Sequence, residues 1–326
     1  MSRTLRLVST QRLAHLLAAF GALLAVAASC GGGGGSSPPP TQRPAFDDER
    51  AFADLETQVQ MGPRAPGTQG HDDVVTFITN ALNQYADQVT TQQFQQSTEL
   101  GPPGHLYDFT NIIGRFNGAT PPEVLAIGAH FDTRPVADSD PDPAKRGDPV
   151  PGANDGASGV AVLLEIARAL KAQTPPRSVL LIFFDAEDSG LSGAPPPYYG
   201  FCLGSEYLAA NMGALRIDKL ILLDMIGDAD LAIPKEPNSR NAAPQLLDEV
   251  FRTASRLGHT AFRDVTGPAV IDDHLPFIAR GIPAIDLIDF AYPYWHTVSD
   301  VPAHCSAASL EQVGETMLEV IYADVW

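Results

Sequence analysis

Cysteine is scarce in this 326-residue chain, which contains only Cys30, Cys202 and Cys305. Closed structural zinc sites are built largely from cysteine, and too few cysteines follow Cys30 to make one. Cys202 and Cys305 could close a loop of about 100 residues with a disulfide, which would stabilise the fold by ~4–5 kcal/mol in the chain-entropy model. Two thiols so far apart in sequence could equally well remain unpaired, and the sequence leaves both alternatives open.

Positive charge is also scarce. Lysine and arginine total 21 against 39 aspartate and glutamate residues, which gives a net charge of −18. Nucleic-acid binding needs basic patches, so we expect no nucleic-acid partner. A strongly acidic chain suits metal cations and a substrate with a free amino group.

Several common catalytic motifs are missing. The sequence contains neither the HExxH motif of many metalloproteases nor the GxSxG turn of serine hydrolases. The GASG segment at 156–159 has the glycines of an anion cradle, but no lysine follows it, so phosphate binding is not expected. Beyond the N-terminus, no apolar run is long enough to span a membrane.

The N-terminus has the plan of an export signal. Basic residues precede an apolar run at 13–28, and small residues lead to Cys30 and a segment rich in glycine, serine and proline. This pattern resembles a bacterial lipoprotein signal, in which the cysteine carries the lipid. We therefore predict a signal peptide at 1–29, a tether at 30–45 and a catalytic domain at 46–326, in an exported lipoprotein of the cell envelope. The alternative is an ordinary secreted protein cut nearby.

The rest of the chain alternates strands with helices, and its most apolar segment is SVLLIFF at 178–184. An unbroken run of this kind is typical of a strand buried on both faces of a parallel sheet. We predict one α/β domain with a mostly parallel mixed sheet flanked by helices on both faces. Strands are expected at 88–95, 107–116, 124–128, 178–184, 219–223 and 284–288, and helices at 47–61, 71–85, 157–170, 205–212, 243–257, 276–280 and 307–322.

Carboxylate and imidazole side chains follow four of these strands. Ligands of open parallel sheets bind beyond the carboxyl ends of the strands, so these groups should meet at one edge. Mixed imidazole and carboxylate donors suit Zn²⁺ in an open catalytic site, although an aspartate after a strand is often only a helix cap. The residues are His130, Asp132, Asp185, Glu187, Asp188, Asp224 and His296, with Asp155 on a glycine-rich turn between the first two strands.

The order of these motifs is that of a known family. His-x-Asp, Asn-Asp-Gly-x-Ser-Gly, an acidic pair after a strand, Asp and then His resemble the co-catalytic zinc aminopeptidases. More narrowly, IDDHLPFIARGIPAIDLIDF followed by YWHTVSD is similar to the glutaminyl-peptide cyclotransferases, which share that fold. The resemblance extends over roughly residues 49–322.

The resemblance implies a role for each matching residue. In the cyclase reading, Glu187 is the general acid and base, Asp224 and Asp272 are further active-site acids, and Trp295 flanks the substrate pocket. Trp295 could instead be plain core, and Asp272 could merely cap the helix through Pro276. The implied zinc ligands are Asp155, Asp188 and His296, with His130 and Asp224 completing a second site around a bridging Asp155 in the aminopeptidase reading.

The implied activity is conversion of an N-terminal glutamine of a peptide or protein to pyroglutamate, with release of ammonia, on one or two zinc ions. The alternative is a zinc aminopeptidase, and a metal-free binding lipoprotein is a third class. Three departures from the cyclase pattern concern the substrate: the acidic pair is Glu-Asp, Asp286 replaces a histidine of animal cyclases, and the loop at 189–200 lacks tryptophan.

Overall fold

The computed structural model describes residues 42–191 and 193–326. The predicted signal peptide, Cys30 and most of the predicted tether lie outside the described residues. The described part of the chain is a single α/β unit. None of its helices combines the length and apolar character needed to cross a bilayer.

Within residues 42–191 and 193–326, eight strands form two sheets. The main sheet has six strands in the order β1-β2-β4-β3-β5-β8, and β6 and β7 pair separately. Strands β4, β3, β5 and β8 are parallel, whereas β2 is antiparallel to both β1 and β4, so the prediction of a mostly parallel mixed sheet is confirmed. The strands are β1 (Gln88–Gln96), β2 (Tyr107–Phe116), β3 (Val124–His130), β4 (Ser178–Phe184), β5 (Lys219–Asp224), β6 (Ile233–Lys235), β7 (Phe262–Thr266) and β8 (Ala284–Ile288).

Helices cover both faces of the main sheet. Alternate side chains of β4 enter opposite cores: Val179, Leu181 and Phe183 pack on one face, and Leu180, Ile182 and Phe184 on the other. The first core includes residues of α1, α2, α3, α6 and α8, and the second includes residues of α4 and α7. The helices are α1 (Asp48–Gln60), α2 (Gln69–Tyr85), α3 (Ala157–Ala172), α4 (Leu203–Ala210), α5 (Pro237–Ala242), α6 (Pro244–Leu257), α7 (Leu275–Ile278) and α8 (Ala307–Tyr322).

Each predicted strand and helix is present, with ends that shift by a few residues. The sequence did not predict α5 or the small β6–β7 pair. Strand β6 has only three residues and contains Pro234, which lacks a ladder donor, so it carries no strand signature. The predicted helix 243–257 corresponds to α6, and the separate short helix α5 precedes it.

The sheet register brings the ends of the parallel strands together. His130 at the end of β3 is paired with Phe184 at the end of β4. Asp224 at the end of β5 is paired with Ile288 at the end of β8. His130 and Asp224 therefore lie at one edge of the sheet. Glu187 and Asp188, which follow β4, and the loop that follows β8 begin at this same edge.

Candidate metal centre and active site

One group of donors lies at the ends of β3 and β5. His130 Nε2 is 3.1 Å from Asp224 Oδ1 and 3.2 Å from Asp155 Oδ1. All three residues are at most 8% exposed. The Asp155 turn depends on Gly156, whose φ of +101° favours glycine, and a Cβ there would lie 2.7 Å from the Asp132 carbonyl oxygen.

A second group shares Asp155. His296 Nε2 is 3.1 Å from Asp188 Oδ1 and 3.9 Å from Asp155 Oδ2. One oxygen of Asp155 therefore faces each histidine, which is the arrangement of a bridging carboxylate. The structure brings together all five residues that the sequence predicted as ligands of one or two metals.

The two donor sets fit a zinc ion in size and chemistry. A tetrahedral ion with bonds of about 2.0 Å separates its donors by about 3.3 Å, close to the 3.1–3.9 Å between His296 and its two carboxylates. Asp188 Oδ2 is buried and has no hydrogen-bond partner among the described residues, which leaves this oxygen available to an ion.

The electrostatics of these sets also favour a cation. Burial raises the pKa of Asp155 to about 7, and the neighbouring charge of Asp188 adds to the increase. Burial alone would lower the pKa of His296, but the Asp188 charge and hydrogen bonds to Asp138 and Asp188 outweigh it and raise the pKa to about 9. The carboxylates thus attract a positive charge, which a divalent ion can supply.

Glu187 lies beside the donor sets and lines a pocket of about 280 Å³. Its Oε1 accepts a weak hydrogen bond from Cys202 Sγ at 3.6 Å. Burial, followed by the charge of Asp188, raises the pKa of Glu187 well above its usual range. A carboxylate with a raised pKa is suited to exchange protons near neutral pH.

Asp132 holds the acidic pair in place. Its two oxygens accept hydrogen bonds from the backbone N–H groups of Glu187 at 2.9 Å and Asp188 at 3.1 Å. Asp132 Oδ1 lies 3.5 Å from His130 Nδ1, which is the outer limit of a hydrogen bond. Asp132 therefore contacts His130 more weakly than it contacts the backbone of the acidic pair. Asp300 plays the same part for the Asp155 turn, because it accepts from the backbone N–H groups of Asn154 and Asp155.

Asp272 lies on the other side of Glu187. Oxygen atoms of Glu187 and Asp272 and Cys202 Sγ all lie within 4.8 Å of one another. The side chain of Asp272 does not cap α7: its Oδ1 accepts from the N–H of Asp273, and only its backbone carbonyl accepts from Leu275. Burial and the charges of Asp224 and Asp273 raise the pKa of Asp272 well above its usual range.

Trp295 forms part of the pocket wall. Its ring centroid is 3.7 Å from that of His296 and 5.1 Å from that of Phe290, and all three residues line the pocket. The side chain is half-buried and also contacts a small apolar cluster that contains Met225 and Val270. Trp295 is thus both packed and exposed to the pocket.

Asp185 is not part of the site, and the prediction that placed it there is wrong. Its carboxylate accepts from His71 Nε2 at 2.9 Å and from the N–H of Thr110 at 2.7 Å. Ala186, between Asp185 and Glu187, has a φ of +56°, so the strand conformation ends there and the two acids do not share one face of β4. Cys202 and Cys305 are buried and unpaired, so the disulfide alternative is excluded.

The sequence reasoning missed Arg134 and Asp138. Arg134 donates to Asp188 Oδ1 at 3.1 Å, and Asp138 Oδ1 lies 3.3 Å from His296 Nδ1. The two side chains also pair with each other. A usable signal was present, because an arginine and an aspartate four residues apart directly follow the strand that ends in His130.

Left-handed backbone accumulates at this edge of the sheet. Ala186 precedes Glu187, Met225 follows Asp224, and both have positive φ, as do Cys202 and His296. Such conformations cost roughly 1–3 kcal/mol each in non-glycine residues and are retained where side chains must be aimed for function.

Comparison with known proteins agrees with this geometry. The sequence matches the model of peptidase family M28 over residues 111–321. It is 30% identical over 270 residues to the glutaminyl-peptide cyclotransferase of Drosophila melanogaster. The alignment covers 73% of this chain and 70% of the Drosophila protein.

Solved structures share the fold. The glutaminyl cyclase of Bacteroides thetaiotaomicron, solved with N-acetylhistamine, has a TM-score of 0.79 and 37% identity. A Zn-dependent exopeptidase from Parabacteroides distasonis has a TM-score of 0.78 and 35% identity. Each match covers 86% of this chain and 99% of the other. The chain therefore belongs to peptidase family M28, as an enzyme of its glutaminyl cyclase-like and zinc aminopeptidase-like group.

Proposed function

We propose that the protein is a zinc-dependent glutaminyl-peptide cyclotransferase, which converts an N-terminal glutamine of a peptide or protein to pyroglutamate and releases ammonia. The observation that carries this proposal is the approach of Glu187 and Asp272 to within 4.8 Å beside the donor sets. An amine that bonds both carboxylates at about 2.8 Å fits between two oxygens at this separation. The site can therefore hold the substrate's own amine next to the group it must attack.

The fit of Asp155, Asp188 and His296 to zinc makes them the proposed ligands of the catalytic ion. When bound, the ion polarises the γ-carbonyl of the glutamine side chain. Glu187 accepts a proton from the α-amine as that nitrogen bonds to the side-chain amide carbon, Cδ, and closes a five-membered ring. Glu187 then donates this proton to the amide nitrogen, the carbon–nitrogen bond breaks, and ammonia leaves.

The pocket walls contribute by position and by excluding water. Holding amine and amide at contact distance removes much of the entropic barrier to cyclisation. Water in the same place would hydrolyse the amide to glutamate instead. Trp295, Phe290 and Val270 line the pocket with apolar surface that disfavours this competing reaction.

A zinc aminopeptidase is the second candidate, and one specific observation favours it. His130, Asp155 and Asp224 form a complete second donor set, so the protein could hold two ions. In that case Glu187 would activate a water molecule for attack on the first peptide bond.

One assay separates the candidates. The purified protein, fully loaded with zinc, is incubated with glutamine-led and leucine-led peptides, with and without chelator. We expect chelator-sensitive release of ammonia from the glutamine peptide and no free leucine. Free leucine would instead establish the aminopeptidase. No product from either peptide at full metal loading would leave a binding protein and contradict the proposal.

The proposal includes a cellular location. An exported protein anchored by a lipid on Cys30 would encounter peptide and protein N-termini outside the cytoplasm. Supporting residues are the basic start, the apolar run at 13–28 and the small residues before Cys30. We propose no nucleic-acid partner, because the chain carries an excess of 18 negative charges.

A further inference from the structure

Arg134 is a buried cation beside the candidate metal centre. Its side chain is 3% exposed and lies four residues beyond the end of β3. Nη1 donates to Asp188 Oδ1 at 3.1 Å and to the carbonyl oxygen of Gly190 at 3.2 Å. Nε and Nη2 donate to the two oxygens of Asp138 at 2.8 and 2.6 Å. The guanidinium thus spans two carboxylates in a fixed plane.

Asp138, the second carboxylate bound by Arg134, contacts the candidate metal ligand His296. Asp138 Oδ1 lies 3.3 Å from His296 Nδ1, on the side of the ring away from the donor set. A carboxylate at Nδ1 keeps the proton on that nitrogen and leaves the Nε2 lone pair for a metal. Nε2 is the atom that faces Asp155 and Asp188.

We propose that Arg134 is a positioning residue for the metal: it orients Asp188 directly and orients His296 through Asp138. The arrangement requires an arginine. A lysine has one donor atom and cannot bond Asp188 and both oxygens of Asp138 in a single plane.

The two donor sets differ in this respect. Among the residues that the structure describes, the ion pairs of Asp224 and Asp155 involve only histidine. Arg134 therefore acts on the Asp188–His296 side alone. Its positive charge opposes a nearby cation, so its net contribution must come from holding the ligands in place.

The test compares Arg134→Lys, Asp138→Asn and the matched control Arg177→Lys. Arg177 also bridges two carboxylates, Glu123 and Asp324, but it lies on the surface away from the donor sets. The measurement is the zinc dissociation constant of metal-free protein, obtained by competition with a fluorescent chelator. The melting temperature of each metal-free variant is recorded alongside, which separates a loss of folding from a loss of affinity.

We expect Arg134→Lys and Asp138→Asn each to weaken zinc binding by ~10–100-fold, the usual effect of removing a group that orients a metal ligand. The double variant should lose less than the product of the two single losses, because both act on one chain of contacts. The control should bind as the parent does.

Unchanged zinc affinity in Arg134→Lys and Asp138→Asn would overturn the proposal, and so would a double variant whose losses multiply. If Arg134→Lys fails to fold, the zinc affinity of Asp138→Asn alone tests the proposal. The Asp138 side chain is 40% exposed, so we expect this variant to fold. Zinc affinity is independent of the reaction catalysed. The result therefore stands apart from the choice between cyclase and aminopeptidase.

Discussion

At the scale of residues, the site concentrates negative charge that needs compensation. Asp155, Glu187, Asp188, Asp224 and Asp272 are each at most 8% exposed. Burying several carboxylates together is unfavourable unless protons or cations accompany them. The raised pKa values of Asp155, Glu187 and Asp272 express this cost. A divalent ion bound by the aspartates, together with a proton on Glu187, would offset this cost.

The first prediction concerns Glu187→Gln. The amide keeps the shape of the side chain but cannot accept a proton, so turnover of a glutamine-led peptide should fall by at least ~10²–10⁴-fold. Zinc content should stay unchanged, because Glu187 belongs to neither of the two donor sets that share Asp155. Initial rates and metal analysis on the same sample provide the check. Activity that survives the change would show that the general base is another group.

The second prediction concerns the buried pair His71 and Asp185. Burial alone would lower the pKa of His71, but the charge and hydrogen bonds of Asp185 raise it to about 9. A folded pKa above the unfolded value of about 6.5 stabilises the fold below pH 6.5, and this stability is lost as pH rises through about 9. We therefore expect a loss of about 1–3 kcal/mol as the pH rises from 6.5 through about 9.

The double variant His71→Gln with Asp185→Asn provides the reference, because its amides do not titrate. Urea unfolding of both proteins at pH 6.5 and pH 9.5 should show the parent losing the extra stability. Parallel pH dependence in the two proteins would argue against an ion pair at this position.

Single residues also show what the sequence could and could not reveal. His130, Asp155, Asp188, Asp224 and His296 could be named as candidates because they follow predicted strands or a glycine-rich turn, and their role as metal ligands was implied by the resemblance to the zinc aminopeptidases. Contacts made across the fold leave no such local trace. The pairing of His71 with Asp185 joins residues 114 positions apart, and the contact of Asp138 with His296 depends on where two loops meet.

At the scale of elements, close packing of α3 against the sheet positions the Asp155 turn. Gly159 lies in the first turn of α3, where a Cβ would be 2.3 Å from the Leu223 carbonyl oxygen and 2.7 Å from Ala129 Cβ. Real structures do not tolerate such contacts, and the neighbouring atoms belong to strands that cannot move away easily.

The third prediction follows from this contact. Gly159→Ala should push α3 away from β3 and β5 and destabilise the fold by ~1–3 kcal/mol, as overpacking does elsewhere. Gly147→Ala is the matched control, since nothing lies within 4 Å of a Cβ at that position. Urea unfolding measures both. Equal stability of the two variants would mean that the helix can shift without cost.

Elements with strong periodicity were predicted and weak ones were not. The buried strands β3, β4 and β5 could be predicted from the sequence because their residues are almost all apolar. Strand β7 has the sequence FRDVT and is largely exposed, so it shows no hydrophobic pattern. Its pairing with β6 arises from tertiary contacts, which single-segment patterns do not contain.

At the scale of the whole molecule, the chain combines an N-terminal export pattern with a catalytic unit of strong negative charge. Removing residues 1–29 would take away three arginines and no acid, which leaves 18 basic against 39 acidic residues. A net charge of this size favours the approach of positively charged peptide N-termini over anions.

The fourth prediction concerns the lipid. In a bacterial host that processes lipoproteins, the full chain should incorporate labelled palmitate and partition into detergent, whereas Cys30→Ser should do neither. One acyl group gives weak binding, so stable partition requires the multiple chains of a lipoprotein anchor. A full-length protein that is cut near the same place and stays unlabelled would support ordinary secretion.

We propose that Asp155, Asp188 and His296 bind one zinc ion beside Glu187. The most direct test is X-ray diffraction from crystals of the zinc-loaded protein, recorded on both sides of the zinc absorption edge. The account predicts an anomalous peak at about 2.0–2.2 Å from a donor atom of each of these three side chains. Crystals at full zinc loading with the peak elsewhere, and those three side chains directed apart, would contradict it.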